Sequence, residues 1–200
     1  MDRGNSGLRG PAGSLDPATQ ERLLDATERL VQRIGIGKTS MADVARAAGV
    51  ARGTLYRYFE SREVLFDALT RRATDRFFAA AAAAMDGQPS LSEQLGEFSQ
   101  LMVRAIHPGA LGSQAALTRM LVTEGAQALR RTAGFLRPYI EAAWSRGEVR
   151  EDLDIDDASE WLARILLSFT VFQAAIAYDA DDPRSVSSFV RRYAIGSMAG

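Results

Sequence analysis

The chain has no cysteine and a single histidine, His107, in 200 residues. Without cysteine there can be no disulfide scaffold, thiolate metal site or cysteine nucleophile. One histidine also excludes a histidine-rich metal cluster. Long hydrophobic runs are missing too. The most apolar stretch, Ile165 to Tyr178, is 14 residues long and contains Ser168, Thr170 and Gln173, short of the ~18–20 a membrane span needs. The Gly-rich start (Gly4, Gly7, Gly10, Gly13) lacks the apolar core of a signal peptide. Residues 1–14 are therefore expected to form a floppy tail, and the protein to be cytoplasmic with no membrane partner.

Strand signals are equally scarce. No stretch alternates apolar and polar residues over more than a few positions, and no proline falls between Pro17 and Pro89. The run Ala79–Ala84 uses the best helix former. At 46% apolar and 24% charged residues the chain resembles an average soluble protein, long enough to bury a real core. These features predict an all-α protein.

Helices are expected over 17–34, 41–48, 52–59, 62–85, 91–106, 110–124, 126–146, 156–178 and 183–196, with Pro138 kinking or breaking the seventh. Asp16-Pro17 pairs an N-cap with a proline at the first helical position, and Asp182-Pro183 repeats the device. Leu23, Leu24, Thr27, Leu30, Val31 and Ile34 then recur at helical spacing until Gly35. Ser40-Met41-Ala42-Asp43 and Ser90-Leu91-Ser92-Glu93 read as capping boxes.

The net charge of −1 points to no partner, but charge is unevenly spread. Residues 1–72 hold 12 basic and 9 acidic side chains; residues 73–200 hold 12 and 16. Within 38–62 there are five basic residues (Lys38, Arg46, Arg52, Arg57, Arg62) against Asp43 and Glu60. A basic head on an acidic body suggests a polyanion partner for the head.

Residues 40–59 have the layout of a helix-turn-helix. Gly49 can take the positive φ of a sharp turn, Ala45 permits a close crossing, and Val44, Ala48, Val50, Leu55 and Phe59 form the apolar set between two short helices. The second helix would lie in a DNA major groove. Its Arg52, Thr54, Tyr56, Arg57 and Tyr58 supply cations and hydroxyls, and Gly53 allows close backbone approach. Arg52 and Thr54, at the helix start, are best placed to read bases. Either tyrosine alone could be a packed helix residue; the whole set points to DNA.

Thr39-Ser40, Asp43-Val44-Ala45 through Gly49-Val50, Gly53-Thr54-Leu55-Tyr56-Arg57-Tyr58-Phe59 and Ser61-Arg62-Glu63-Val64-Leu65-Phe66 together resemble the N-terminal domain of the tetracycline-repressor (TetR) family. The resemblance covers residues 17–66 without gaps. Thr123-Glu124-Gly125 and the segment Arg146 to Asp154 are more faintly similar to turns of the family's larger domain. The resemblance implies an all-helical homodimer that represses transcription until a small molecule releases it from a palindromic operator. It also implies that Thr39, Ser40, Arg52, Thr54, Tyr56 and Tyr58 contact operator DNA and that Arg62 touches phosphate. Two positions depart from the family. Ala51 stands where Ser is favoured, removing a side-chain cap worth ~1 kcal/mol, and Arg62 replaces the usual Lys.

Other patterns imitate chemistry. Gly35-Ile36-Gly37-Lys38-Thr39 ends like a phosphate-binding loop, yet Gln32 stands where that loop needs its first Gly and no strand precedes it. Asp152, Asp154 and Asp156 match the start of a calcium loop, but Asp157 and Ala163 fill its Gly and Glu positions. We read them as helix capping, with no metal and no cofactor expected. His107 precedes Pro108 and has no nucleophile elbow to serve. It is either a helix-end residue or a ligand contact, and no catalytic residue is expected.

Residues 85–178 carry large apolar groups, each either bundle core or pocket lining. Candidate effector contacts are Phe98, Met102, His107, Met120, Tyr139, Trp144 and Phe169, a set suited to a lipophilic or aromatic small molecule. Pro108, Gly109 and Gly112 suggest a gate. Phe172, Ile176, Phe189 and Tyr193 lie on stripes of the last two helices that are either a core hairpin or, as we favour, a homodimer interface. The organisation read from sequence is a tail (1–14), a helix-turn-helix DNA-binding domain (15–62) and an effector-binding and dimerisation domain (63–200). The protein is then a ligand-responsive DNA-binding regulator and not an enzyme. The rival is a helical small-molecule-binding protein without a DNA role.

Overall fold

Asp16 accepts the backbone N–H groups of Ala18 and Thr19 at 3.1 and 3.0 Å, and Pro17 sits in the first turn, where its missing N–H is harmless. That junction opens α1 (Pro17–Ile34) in the computed structural model, which describes residues 15–106, 114–172, 175–196 and 198, without the side chains of 106 and 114–124. Gly35, at φ 82°, ends α1 by donating to the Val31 carbonyl at 2.9 Å. A 3-10 turn (Ile36–Lys38) leads to α2 (Met41–Ala48), α3 (Arg52–Tyr58) and α4 (Arg62–Met85). The remaining helices are α5 (Leu91–Ile106), α6 (Gln114–Ser145), α7 (Ile155–Val171) and α8 (Pro183–Tyr193). The fold is all-helical, with no strand among the described residues.

Two compact units, Met1–Thr70 and Arg71–Gly200, divide within α4. In the first, Leu23, Leu30, Val44, Leu55, Phe59 and Leu65 form one buried core. Gly49 adopts the left-handed conformation (φ 67°, ψ 36°), and the Val50 N–H reaches back to the Ala45 carbonyl at 3.0 Å. This ends α2 sharply enough for α3 to fold back on it. Ala48 and Val50 are only partly buried at the edge of that core.

In the second unit α6 packs on α7 and α5 on α8. Met85, Leu95, Phe98, Leu136, Ile140, Leu162 and Leu166 are fully buried. Aromatic rings knit this core: Phe77 meets Phe98 edge-on with centroids 5.5 Å apart, and Phe78 lies 4.9 Å from Phe135. Among the described residues no helix is long and apolar enough to cross a membrane.

Several expected boundaries change. The helices expected at 110–124 and 126–146 are parts of one helix, α6, which runs through Gly125 and Pro138. Pro138 removes one backbone bond, to the carbonyl of Gly134, but both residues are exposed, so water can satisfy that oxygen. The buried neighbours Leu136, Ile140 and Ala143 hold the helix together on either side. Gly125 has space around it and a helix-compatible φ, so it costs only propensity. The helix expected to reach 178 stops at Val171. There the hydroxyls of Ser168 and Thr170 donate to the carbonyls of Ile165 and Leu167 at 2.6 and 2.7 Å, competing with helical bonding. The last helix ends at Tyr193 rather than 196, and α3 at Tyr58.

Candidate nucleic-acid interface

A cleft of about 420 Å³ opens on the first unit, lined by the segment Gly37–Ala42 together with Arg52, Tyr56 and Arg62. Three sequence segments meet there: the turn before α2, the exposed side of α3 and the first residue of α4. Ser40 begins α2 with a reciprocal cap. Its hydroxyl accepts the Asp43 N–H at 3.2 Å and donates to the Asp43 carboxylate at 2.5 Å. That hydroxyl holds the Asp43 carboxyl below the ordinary carboxylate value of 3.8, with smaller attractions from Arg46 and Arg52. Arg46 approaches Asp43 at 3.3 Å.

On α3, Arg52, Gly53, Tyr56 and Arg57 are exposed, Tyr56 by 50%. Thr54 is half-buried. Ala51 provides no side-chain cap, as its identity dictates, so the first turn of α3 relies on backbone bonds to the Ala51 carbonyl at 3.0 and 3.2 Å. A Cβ built on Gly53 would meet nothing within 4 Å and its φ is not positive. No internal feature of the unit demands glycine there, which leaves room for an external surface to approach the backbone.

Four expected contacts have internal duties. Tyr58 is half-buried, and its hydroxyl accepts the Asp16 N–H at 3.1 Å, leaving its proton free for a phosphate. Arg57 lies over the Tyr58 ring at 5.7 Å. Thr39 is 2% exposed and donates its hydroxyl to the Gly35 carbonyl at 3.0 Å, so only its main chain faces the cleft readily. Arg62 donates from Nε to the Thr39 carbonyl at 3.1 Å and from Nη2 to the Ile36 carbonyl at 2.5 Å. Lys38, the only lysine of the chain, was absent from the candidates, and it lines the cleft. Its signal was available: a cation between the Gly35 stop and the Ser40 cap, inside the basic 38–62 segment.

The second unit distributes its candidates unevenly. Phe98 and Met102 are buried in the core, with Tyr139 and Phe169 packed against it. Tyr139 donates to the Asp86 carboxylate at 3.0 Å, and burial together with that bond pushes its phenol up to about 12. Trp144 is exposed and donates its indole N–H to the Glu151 carbonyl at 3.1 Å. His107, the Pro108–Gly112 gate and the Met120 side chain lie outside the described residues. Of the interface candidates, Phe172 is 71% exposed, Ile176 and Tyr193 are exposed and Phe189 is half-buried. Asp154 caps α7 through the Asp157 N–H at 3.0 Å, while Asp156 and Asp152 pair with Arg137 and Arg150. Among the described residues no cluster of acidic or histidine side chains could hold a metal ion.

A family model for bacterial regulatory proteins of the tetR family matches residues 23–69. Against some curated helix-turn-helix regulators the likeness is confined to 56 residues, and the chain spans 28% of their length. It extends further with the regulator AlkX of Mycobacterium tuberculosis, 24% identical over 192 residues, 88% of this chain and 87% of that one. Solved structures share the fold. The TetR family repressor AlkX from a Dietzia strain superposes with a TM-score of 0.62 at 24% identity, covering 86% of this chain and 92% of that one. A cysteine mutant of the regulator CifR, complexed with 26-bp operator DNA, gives 0.59 at 19% identity, covering 92% and 99%. The family model, the longer likeness and the fold agree with the helix-turn-helix on the first unit: residues 23–69 match the tetR-family regulatory domain, and the chain is similar in sequence and fold to TetR-family transcriptional regulators.

Proposed function

We propose that the protein binds a palindromic double-stranded DNA operator as a homodimer and acts as a repressor released by a small lipophilic or aromatic molecule. The carrying observation is α3, whose exposed face offers Arg52, Tyr56 and Arg57 beside a Gly53 that has no internal reason to be glycine. Arg52 and Thr54 read base edges from the helix start. Ser40, Tyr56, Arg57 and Tyr58, with Lys38 at the cleft, contact phosphates and set the register. The operator-bound relative supports a DNA partner.

Effector binding and self-association belong to the second unit. Its core is rich in aromatic rings and Met, which favours an apolar ligand near Phe98, Met102, Tyr139 and Phe169. The Dietzia relative is described as implicated in biodegradation of n-alkanes, which supports the same ligand class. Phe172, Ile176, Phe189 and Tyr193 give the second copy an apolar surface to cover. Switching is then a two-state equilibrium. Effector favours a dimer geometry that no longer matches successive major grooves, and operator weakens effector binding by the same factor.

Gel-shift titration with a duplex from upstream of its own gene tests the reading. A sequence-specific, salt-sensitive complex that long-chain or aromatic ligands dissolve is the expected result. Absence of any such complex, with thermal stabilisation by ligand alone, would instead identify a binding protein without a DNA role.

A further inference from the structure

The turn Ile36–Lys38 is weakly built. None of its residues is buried, and it has no side-chain cap. Its two backbone bonds, Lys38 N–H to Gly35 and Thr39 N–H to Ile36, are both long at 3.3 Å. Yet the turn carries Lys38 and delivers Ser40, the cap of α2, to the rim of the cleft. Something else must hold it in place.

Arg62, the first residue of α4, supplies that hold. One guanidinium grips both ends of the turn at once, Nε on the Thr39 carbonyl at 3.1 Å and Nη2 on the Ile36 carbonyl at 2.5 Å. Its guanidinium carbon lies over the Phe66 ring, 4.5 Å from the centroid, and Phe66 packs on the core of the unit. The ring anchors the guanidinium, and the guanidinium holds the carbonyls. This use matches what distinguishes arginine from lysine, a rigid set of donors and a flat cation that stacks. Thr39 adds a second tether, from its hydroxyl to the Gly35 carbonyl.

We propose that Arg62 is a positioning residue for DNA binding, acting through the turn and the start of α2, and not a phosphate contact. Two of its donor groups and one face are already committed inside the unit. A phosphate contact needs only a cation at that place, which lysine supplies equally well. A clamp on two carbonyls needs the fork. The assignment rests on the DNA-binding reading above for its consequence, but the clamp itself exists in the free protein.

The test uses the full chain with Arg62→Lys and Arg62→Ala, against a duplex that the wild type selects from a random pool. Both variants should bind about tenfold or more weaker than wild type and resemble one another. They should do so at temperatures where circular dichroism shows each fully folded. In the free protein, amide exchange across residues 36–42 should accelerate in both variants while the rest of the first unit stays protected. A lysine variant with wild-type affinity and unchanged exchange would make Arg62 a simple cationic contact and overturn the assignment. So would a loss of affinity that vanishes once cooling restores the fold. If exchange accelerates but wild type selects no duplex, the clamp stands as geometry while its role and the DNA-binding reading both fall.

Discussion

The Glu148 carboxylate accepts the backbone N–H of Leu91 at 2.7 Å, so the turn that ends α6 caps the start of α5. Gly147, at φ 72°, makes this possible by turning the chain after α6, and Arg146 Nε holds the other carboxylate oxygen at 2.5 Å. Burial alone would raise this carboxyl. The Arg146 guanidinium and the Leu91 N–H outweigh it and bring the group below its ordinary value of 4.5. Glu148→Ala should cost about 1 kcal/mol, as removal of an N-cap does, read as a drop of a few degrees in the melting temperature. Because the carboxyl is depressed in the folded state, its contribution is present above pH 4.5 and disappears as acid protonates it. The wild type should therefore lose stability below that pH more steeply than Glu148→Gln. Parallel acid titrations of the two proteins would exclude the cap role.

Gly96 lies where α5 meets α8 with no room for a side chain. A Cβ there would lie 2.3 Å from Arg191 Nε and 2.9 Å from Ser187 Oγ. Arg191 cannot easily swing away, because it is held by Glu93 at 3.0 Å and Glu97 at 3.3 Å. Gly96→Ala should destabilise the protein by about 1–3 kcal/mol through overpacking, measured by urea denaturation. Gly134→Ala, at an open helical position, should be neutral or slightly stabilising in the same assay. Equal effects from the two substitutions would show that helix propensity, not the close crossing, governs Gly96.

The caps were legible because their determinants are local. Asp16-Pro17, Ser40 and Asp182-Pro183 each carry the acceptor within three residues of the N–H it receives, so reading along the chain finds them. Pro138 does not break the helix because its effect depends on what lies around α6: the freed carbonyl faces solvent, and α7 packs along the helix. The duty of Arg62 was out of reach for the same reason. Its carbonyl partners are 23 and 26 residues away, and no pattern tells a clamp from a phosphate contact. Glu148 and Leu91 are 57 apart, and the capping box at Ser90 gave no hint of a second acceptor. Within the helix-turn-helix the apolar set between α2 and α3 lies within 16 residues of sequence, from Val44 to Phe59, and was readable, whereas the long-range core of the second unit was not.

Tyr139 offers a test at the opposite end of the pH scale. Its phenol is raised from 10.0 to about 12 by burial and by donation to Asp86. The folded state thus keeps a proton that the unfolded state has lost. Stability from this group is complete below pH 10 and declines as pH rises toward about 12. Phenolate absorbance should show a tyrosine titrating at about 12 that is missing from Tyr139→Phe, and the alkaline midpoint of unfolding should depend less on pH in that variant. Identical alkaline profiles for the two proteins would contradict the assignment.

The last prediction concerns the apolar surface at the end of α7 and on α8. Phe172 and Ile176 are exposed just beyond α7, and Tyr193 is exposed at the end of α8. On the same stretch of chain Phe169, Tyr178 and Phe189 pack ring to ring, with centroids 5.8 Å apart for Phe169 and Tyr178 and 4.7 Å for Tyr178 and Phe189, and Tyr193 lies 4.9 Å from Phe189. Truncating Phe172 or Ile176 should leave that cluster intact. If the surface joins two copies, Phe172→Ser with Ile176→Glu places a charge in an apolar contact and should yield a folded monomer, seen by sedimentation. Because a two-fold operator needs two recognition helices at a fixed spacing, the monomer should also lose most of its affinity for DNA, although every contact on α3 is untouched. A double variant that still sediments as a dimer would move the interface elsewhere. One that is monomeric yet binds operator as tightly as wild type would show that a single α3 suffices.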